Sequence, residues 1–202
     1  GYLNDLWKYD VSDDKWAWTE GFSTRNQRTV INRSSNMPGG RSELVAWADN
    51  DGDLWLFGGY GYDKNRDLGY LADVWKYDVS DTKWIYSAGA VVRNATIHTS
   101  PYRPGACRGA VGITMSDGDL VLFGGHGYIN SGPGWLNSLL RFDVATETWS
   151  VLSGGGLNSA HQKTGSTIKP GGLENASGWM DASGNFWIYG GENNSGDNSD
   201  LW

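Results

Sequence analysis

Apolar residues along this chain fall into short dense runs rather than long amphipathic stripes. Leu54–Phe57, Leu120–Phe123 and Phe186–Tyr189 are apolar at every position, the pattern of strands covered on both faces. A strand is expected over residues 42–48, just before the turn Asp49-Asn50-Asp51-Gly52-Asp53. An Asp-Gly pair suits a tight hairpin whose turn takes positive φ. Beyond Gly58-Gly59, residues 73–78 and 83–86 read as a second hairpin, closed by Val79-Ser80-Asp81-Thr82. No stretch carries the helical period.

These four-strand units recur. Residues 38–59 align without a gap on 104–125 and again on 170–191, each step being 66 residues. Trp47, Ile113 and Trp179 coincide, as do Trp55, Val121 and Trp187, and the doublets Gly58-Gly59, Gly124-Gly125 and Gly190-Gly191. A second block recurs as LNDLWKYDVSDDKW at 3–16, LADVWKYDVSDTKW at 71–84 and LNSLLRFDVATETW at 136–149. It fixes Trp75, Trp84 and Trp149 as repeat positions, and its opening returns as NSDLW at 198–202. Four strands at a fixed period, each sheet too apolar to stand alone, imply sheets stacked around an axis.

The glycine doublet, the run Trp75-Lys76-Tyr77-Asp78 and the later Trp84 resemble the kelch repeat family. The NDLWKYD block at this spacing is similar to large secreted or surface multi-kelch proteins. The resemblance implies an all-β fold: a kelch-type β-propeller segment of four-stranded antiparallel blades, about three repeats of 66 residues. Residues 1–20 would supply the outer strands of a blade and 38–88 and 104–153 complete blades. Residues 170–202 would supply the inner strands of a further blade, and 21–37, 89–103 and 154–169 the loops between blades. One departure is the arginine that usually follows Pro-Gly. It is Arg41 in one unit, but Cys107 and Leu173 stand there in the others.

Pairing the two ends would give three blades, whereas closed propellers have about four or more. Residues 3–7 and 198–202 also compete for one place in the array. Either neighbouring repeats on a longer chain cover the ends, which the repeat pattern favours, or copies join head to tail. The implied function is non-catalytic: an extracellular or cell-surface protein acting in binding or assembly, such as a filament or sheath subunit. Its partners would be protein, through self-association or neighbouring kelch repeats. The alternatives are an intracellular kelch substrate adaptor, and a kelch-type copper-radical oxidase or carbohydrate-binding domain. The oxidase needs a Tyr cross-linked to Cys, and Cys107, on an inner strand, reads instead as a buried inert thiol.

Composition narrows the classes. The 202 residues carry a net charge of −7, 30 Gly, 12 Trp and one Cys, so a disulfide framework within the chain is excluded. A pI of about 4.8 turns the chain away from nucleic acid. No apolar run reaches the ~18 residues of a membrane span, and no signal-peptide pattern opens the sequence. Acids gather at the tight turns, among them Asp13, Asp14, Asp51, Asp53, Asp81, Asp117, Asp119 and Glu147, with Lys15 and Lys83. The long-loop end collects Arg25, Arg28, Arg33, Lys64, Arg66, Arg93, Arg103, Lys163 and Lys169. That basic face suits stacking on an acidic one, or an anionic polysaccharide, although turns take Asp for backbone reasons alone.

The long-loop face holds the candidate ligand-binding residues Tyr60, Tyr62, Tyr128, Arg66, His98 and His126, with Tyr102 beside them; aromatic loops of this kind suit sugars. Asp49, Asp51 and Asp53 look like part of a calcium loop but lack its closing Glu, so a hairpin is expected. His98, His126 and His161 share one face without short ligand spacing, so no metal or other cofactor is expected. No nucleophile elbow, metalloprotease, phosphate-loop or dinucleotide motif appears. Asn32, Asn94, Asn193 and Asn175 head sequons, and the first three sit in long loops with room for a glycan.

Overall fold

Strand pairing in the computed structural model follows the apolar runs. The structure describes residues 1–32, 35–130, 132–154 and 168–202. Among them there is no helix, and all pairing is antiparallel, in sheets of two to four strands. The first four-stranded sheet contains, in spatial order, Val45–Ala48, Leu54–Phe57, Ala72–Asp78 and Lys83–Ala90. The second contains Val111–Thr114, Leu120–Phe123, Leu139–Asp143 and Thr148–Ser153. At the amino terminus an outer hairpin stands alone, Leu6–Asp10 with Lys15–Glu20. At the carboxy terminus an inner hairpin, Ser177–Met180 with Phe186–Tyr189, gains one bridge from Tyr189 to Leu201.

Register repeats with the sequence. Val45 lies opposite Phe57, Val111 opposite Phe123 and Ser177 opposite Tyr189. Each outer hairpin breaks register at the same place, between Leu6 and Trp7, Val74 and Trp75, and Leu139 and Leu140.

The expected strand over 42–48 is in fact two. Glu43 takes φ +54°, and Arg41–Ser42 leaves the sheet to pair with Tyr60–Tyr62, which pairs in turn with Leu68–Tyr70. Cys107–Arg108 does the same with His126–Ile129 and Gly132–Trp135. Tyr60, Tyr62, His126 and Tyr128, expected on loops, therefore lie on β-ribbons. Shorter ribbons occupy parts of 21–37, 89–103 and 192–197. The expected 83–86 strand runs on to Ala90. Most of the 154–169 connection, with His161 and Lys163, lies outside the described residues, as does Arg33.

Neighbouring sheets share a core. Trp47, Trp55, Phe57 and Val74 of the first sheet pack on Leu122, Leu140, Phe142 and Trp149 of the second. Phe142 sits edge-on to Trp47 and Trp55 at 5.9 and 5.5 Å, and Trp149 lies 4.9 Å from Phe57. Burying each such side chain contributes about 1.5–3 kcal/mol. Behind the first sheet, Trp75, Tyr77 and Trp84 meet Leu6 and Met37. Beyond the second, Phe123 meets Leu173 and Ile188.

Backbone bonds also run between sheets. Gly59 N–H donates to Cys107 O at 2.8 Å, and Cys107 N–H to Leu71 O at 3.1 Å. One repeat later Gly125 N–H donates to Leu173 O at 2.7 Å, and Leu173 N–H to Leu136 O at 3.1 Å. Glycine is required there. Gly125 takes φ +92°, and a Cβ on it would stand 2.7 Å from Arg108 O.

The repeat arginine has a definite task. Arg41 is buried and holds Asp73 through both guanidinium ends at 2.6 and 2.9 Å, while Trp75 Nε1 donates to the same carboxylate at 2.7 Å. In the second repeat the corresponding residues are Cys107, Ser138 and Leu140. All three members differ in that repeat, and a buried pair that loses one partner strands the other; the third repeat has Leu173 at the arginine position and keeps Asp200 and Trp202.

Two outcomes follow for stability, both read by denaturant unfolding. Gly125→Ala loses more than Gly52→Ala, because both positions are left-handed but Gly52 has open space; the backbone strain alone costs about 1–3 kcal/mol. Arg41→Cys or Asp73→Ser alone costs about 3–5 kcal/mol, and the double variant loses less than their sum.

Candidate functional site

Three sets of repeat positions meet where the ribbons leave the sheets. Ser42, Arg108 and Glu174 occupy one equivalent slot, and Tyr60, His126 and Glu192 occupy the slot opposite. Glu43, Gly109 and Asn175 follow, all with positive φ. Gly109 N–H donates to Glu43 O at 3.0 Å and Asn175 N–H to Gly109 O at 2.7 Å, so one strand-start is tied to the next. The backbone is uniform at these slots, and their side chains are not.

Arg108 is the centre. Its guanidinium lies 5.9 Å from the Tyr60 ring and 5.7 Å from the Tyr70 ring, within cation–π range. Nη1 reaches Glu43 at 3.3 Å, and Nε stands 3.6 Å from Glu174, too far for a hydrogen bond. Burial pushes the Glu174 carboxyl up, and Arg108 pulls it partly back. Asn175 Nδ2 donates to Glu192 at 3.0 Å.

Around this ion cluster lies an aromatic one. The Tyr70 hydroxyl meets His126 Nδ1 at 2.9 Å. Tyr70 stands edge-on to Tyr60 and Tyr128, and His126 edge-on to Trp135. Tyr2 extends the cluster to Tyr60 and Tyr62 at 6.1 Å each. These rings are each half-buried. Burial lowers the His126 pKa, and the nearby Arg108 charge lowers it further. Burial likewise raises the Tyr70 hydroxyl.

The structure thus brings together Tyr60, His126 and Tyr128, with Tyr62 attached through Tyr2. It leaves out Arg66, an exposed loop residue at φ +70° that donates its N–H to Asp63 O at 3.1 Å. His98 is apart too, its Nδ1 facing Pro101 O at 2.8 Å. Arg108, Tyr70, Trp135, Glu43 and Glu174 were not singled out from the sequence. The available signal was register: Arg108 and Glu174 are the residues after Cys107 and Leu173, and they face the residue following each glycine doublet. Tyr102 is half-buried in its own ribbon.

Other candidate sites resolve into local structure. The Asp49 carboxylate accepts the N–H groups of Asp51 and Asp53 and Nε1 of Trp55, at 3.0, 2.9 and 2.7 Å. Asp53 accepts Val79 N–H and pairs with Lys76 at 2.6 Å. These acids organise the turn. No group of three or more His, Cys, Asp or Glu that could hold a metal occurs among the described residues. Cys107 is fully enclosed, and burial pushes its thiol up to about 12. Of the sequons, Asn32 binds back to Ser35, Asn94 accepts from Tyr70 N–H, Asn193 accepts from Ser195 N–H, and Asn175 joins the central cluster. No helix of the described residues is long and apolar enough to cross a membrane.

A depressed imidazole is neutral in the folded state where the unfolded one is charged. The stability it contributes is complete above pH 6.5 and lost as pH falls through the folded value. Proton NMR of the His126 ring is expected to give a midpoint below 6.5. Arg108→Ala shifts that midpoint upward by removing the repelling charge.

No family model matches the chain, and no curated protein matches it. A solved structure of the protein YjhT is similar to it, with a TM-score of 0.59 at 17% identity, over 93% of this chain and 52% of that one. The chain therefore spans about half the length of that neighbour. At this identity the likeness is one of fold alone.

Proposed function

We propose that this chain is a segment of a kelch-type β-propeller, and that it serves a non-catalytic binding or assembly role in a secreted or cell-surface protein. The blade reading is supported by strand register that repeats with the 66-residue sequence period, and by cores shared between successive sheets. The four sequons are what support an extracellular setting.

The observation that carries the binding role is the half-buried cluster around Arg108. It collects rings, a cation and carboxylates from successive sheets on the long-loop face. Its charge argues against a polyanion at the centre. Arg108 is outnumbered by Glu43, Glu174 and Glu192, while cations such as Arg28 and Lys64 lie out in the loops. Half-buried rings beside carboxylates fit a neutral polyhydroxylated ligand, so a saccharide is the ligand class this site favours.

A panel of immobilised neutral and acidic oligosaccharides tests this. Neutral pyranosides bind the chain, Tyr70→Ala weakens them at least tenfold, and Lys83→Ala at a tight turn leaves them unchanged. A chain that binds no saccharide overturns the ligand class and leaves protein contact as the role of the face.

A further inference from the structure

Two short ribbons lie against the outer strands of the four-stranded sheets, and they fill the space there differently. Val30–Ile31 with Asn36–Met37 lies against Lys83–Ala90, and Met37 packs on the cluster of Trp75, Tyr77 and Trp84. His98–Thr99 with Tyr102–Arg103 lies against Thr148–Ser153. Both ribbons end just before a Pro-Gly pair, so Arg103 stands at the position of Met37. Arg103 is exposed, and a cleft of about 370 Å³ opens beside it.

Three segments form the walls of this cleft. Tyr86 and Ser87 line it from the first sheet, Tyr102 and Arg103 from the ribbon, and Glu147 and Trp149 from the second sheet. Ser87 is the extra residue where the outer hairpin breaks register, and its hydroxyl donates to the Glu147 carboxylate at 2.9 Å. Burial raises the Tyr86 hydroxyl, Asp73 adds to the rise and Arg103 opposes it, so the guanidinium charge is felt at that wall. The place of Glu147 is taken in the first sheet by Thr82, at φ +51° against +54°. Where the earlier repeat has Met37 and Thr82, this one therefore has a cation and an anion.

The two charges line one cleft without pairing. Glu147 is bonded to Ser87, and Arg103 makes no ion pair among the described residues. A guanidinium and a carboxylate held apart across a cleft are the complement of a ligand with a carboxylate at one end and an ammonium at the other. The rings of Tyr86, Tyr102 and Trp149 offer the apolar surface that such pockets use to bury the remainder of a ligand.

We propose that this cleft binds a small zwitterion carrying an aromatic side chain, its ammonium against Glu147 and its carboxylate against Arg103. The site is separate from the Arg108 cluster and independent of the ligand class proposed there. A free amino acid and a short peptide present the same two ends at different spacing.

Titration of the chain followed by backbone amide NMR decides the matter, with phenylalanine and glycyl-phenylalanine as probes. One of the two saturates shifts at Ser87, Arg103 and Thr148, and the tighter binder identifies the spacing. N-acetyl-phenylalanine, which lacks the ammonium, and phenylalanine amide, which lacks the carboxylate, bind at least about tenfold more weakly, the loss expected for one charge-assisted hydrogen bond. Arg103→Met refills the cleft as Met37 does and removes binding. Glu147→Gln keeps an acceptor for Ser87 and weakens the probe to the level of the N-acetyl analogue, whereas Lys64→Ala on the neighbouring ribbon leaves it unchanged. The proposal is overturned if neither probe shifts these amides, if the one-ended analogues bind as tightly, or if Arg103→Met or Glu147→Gln binds like the parent chain. Shifts confined to Tyr70 and His126 place the probe at the Arg108 cluster and overturn it as well.

Discussion

Everything in this fold depends on how the chain leaves the second strand of each four-stranded sheet. After Leu54–Phe57 and Leu120–Phe123, two consecutive glycines take positive φ, a conformation that costs other residues strain. The turn aims the second glycine's N–H away from its own sheet and onto the carbonyl that opens the next. That one bond sets where the following sheet begins. With the sheets placed, the aromatic positions face each other across the gap, and Phe142 and Trp149 reach Trp47, Trp55 and Phe57. Hydrophobic burial supplies the larger energy, but it is not directional. The glycine bonds supply the direction.

Within that frame, side chains of the middle repeat change as sets. Arg41, Asp73 and Trp75 form one buried hydrogen-bonded group, replaced as a whole by Cys107, Ser138 and Leu140. Trp55 and Asp49 form another, replaced by Val121 and Met115 and restored as Trp187 and Asp181 at 2.9 Å. The turn keeps its backbone bonds in the middle repeat, where Met115 N–H still donates to Asp119 O. Side-chain caps are therefore additions to a hairpin that Gly118 and the strand register already close. Where a network is replaced whole, as in the middle repeat, no member is left buried without the partner it has in the first.

How much of this the sequence disclosed depended on what repeats. The all-apolar strands, the Asp-Gly turns and the glycine doublets recur in place, and each was legible from spacing alone. The division of residues 42–48 was not, because the break falls at Glu43, and its counterparts Gly109 and Asn175 share a conformation rather than a residue type. The ribbons at 60–62 and 68–70 were hidden for a similar reason: Gly61 and Gly69 sit opposite each other, and glycine reads as loop. At the site, Tyr60, Tyr128 and His126 stood out as chemistry in a loop. Arg108 did not, because next to Cys107 it looked like part of a substituted repeat position.

Such slots are where a repeat fold has freedom to acquire a function. Positions that pass a sheet's core to its neighbour are constrained on both sides, as the burial of Val74, Trp75 and Phe142 illustrates. The slots holding Ser42, Arg108 and Glu174, and Tyr60, His126 and Glu192, are fixed in backbone, and all but buried Glu174 keep partly exposed side chains. They can hold a hydroxyl, a cation, an acid or a ring without disturbing the ladder beneath. Because successive sheets bring them together, unlike residues from different repeats become neighbours: Arg108 lies over rings of the first sheet's ribbon while reaching Glu174 of the next repeat. A strictly identical repeat would place like charges side by side at this face, an arrangement that costs energy wherever water is partly excluded. Divergence at these slots, against identity at the glycines, both relieves that repulsion and builds an asymmetric surface from a periodic chain.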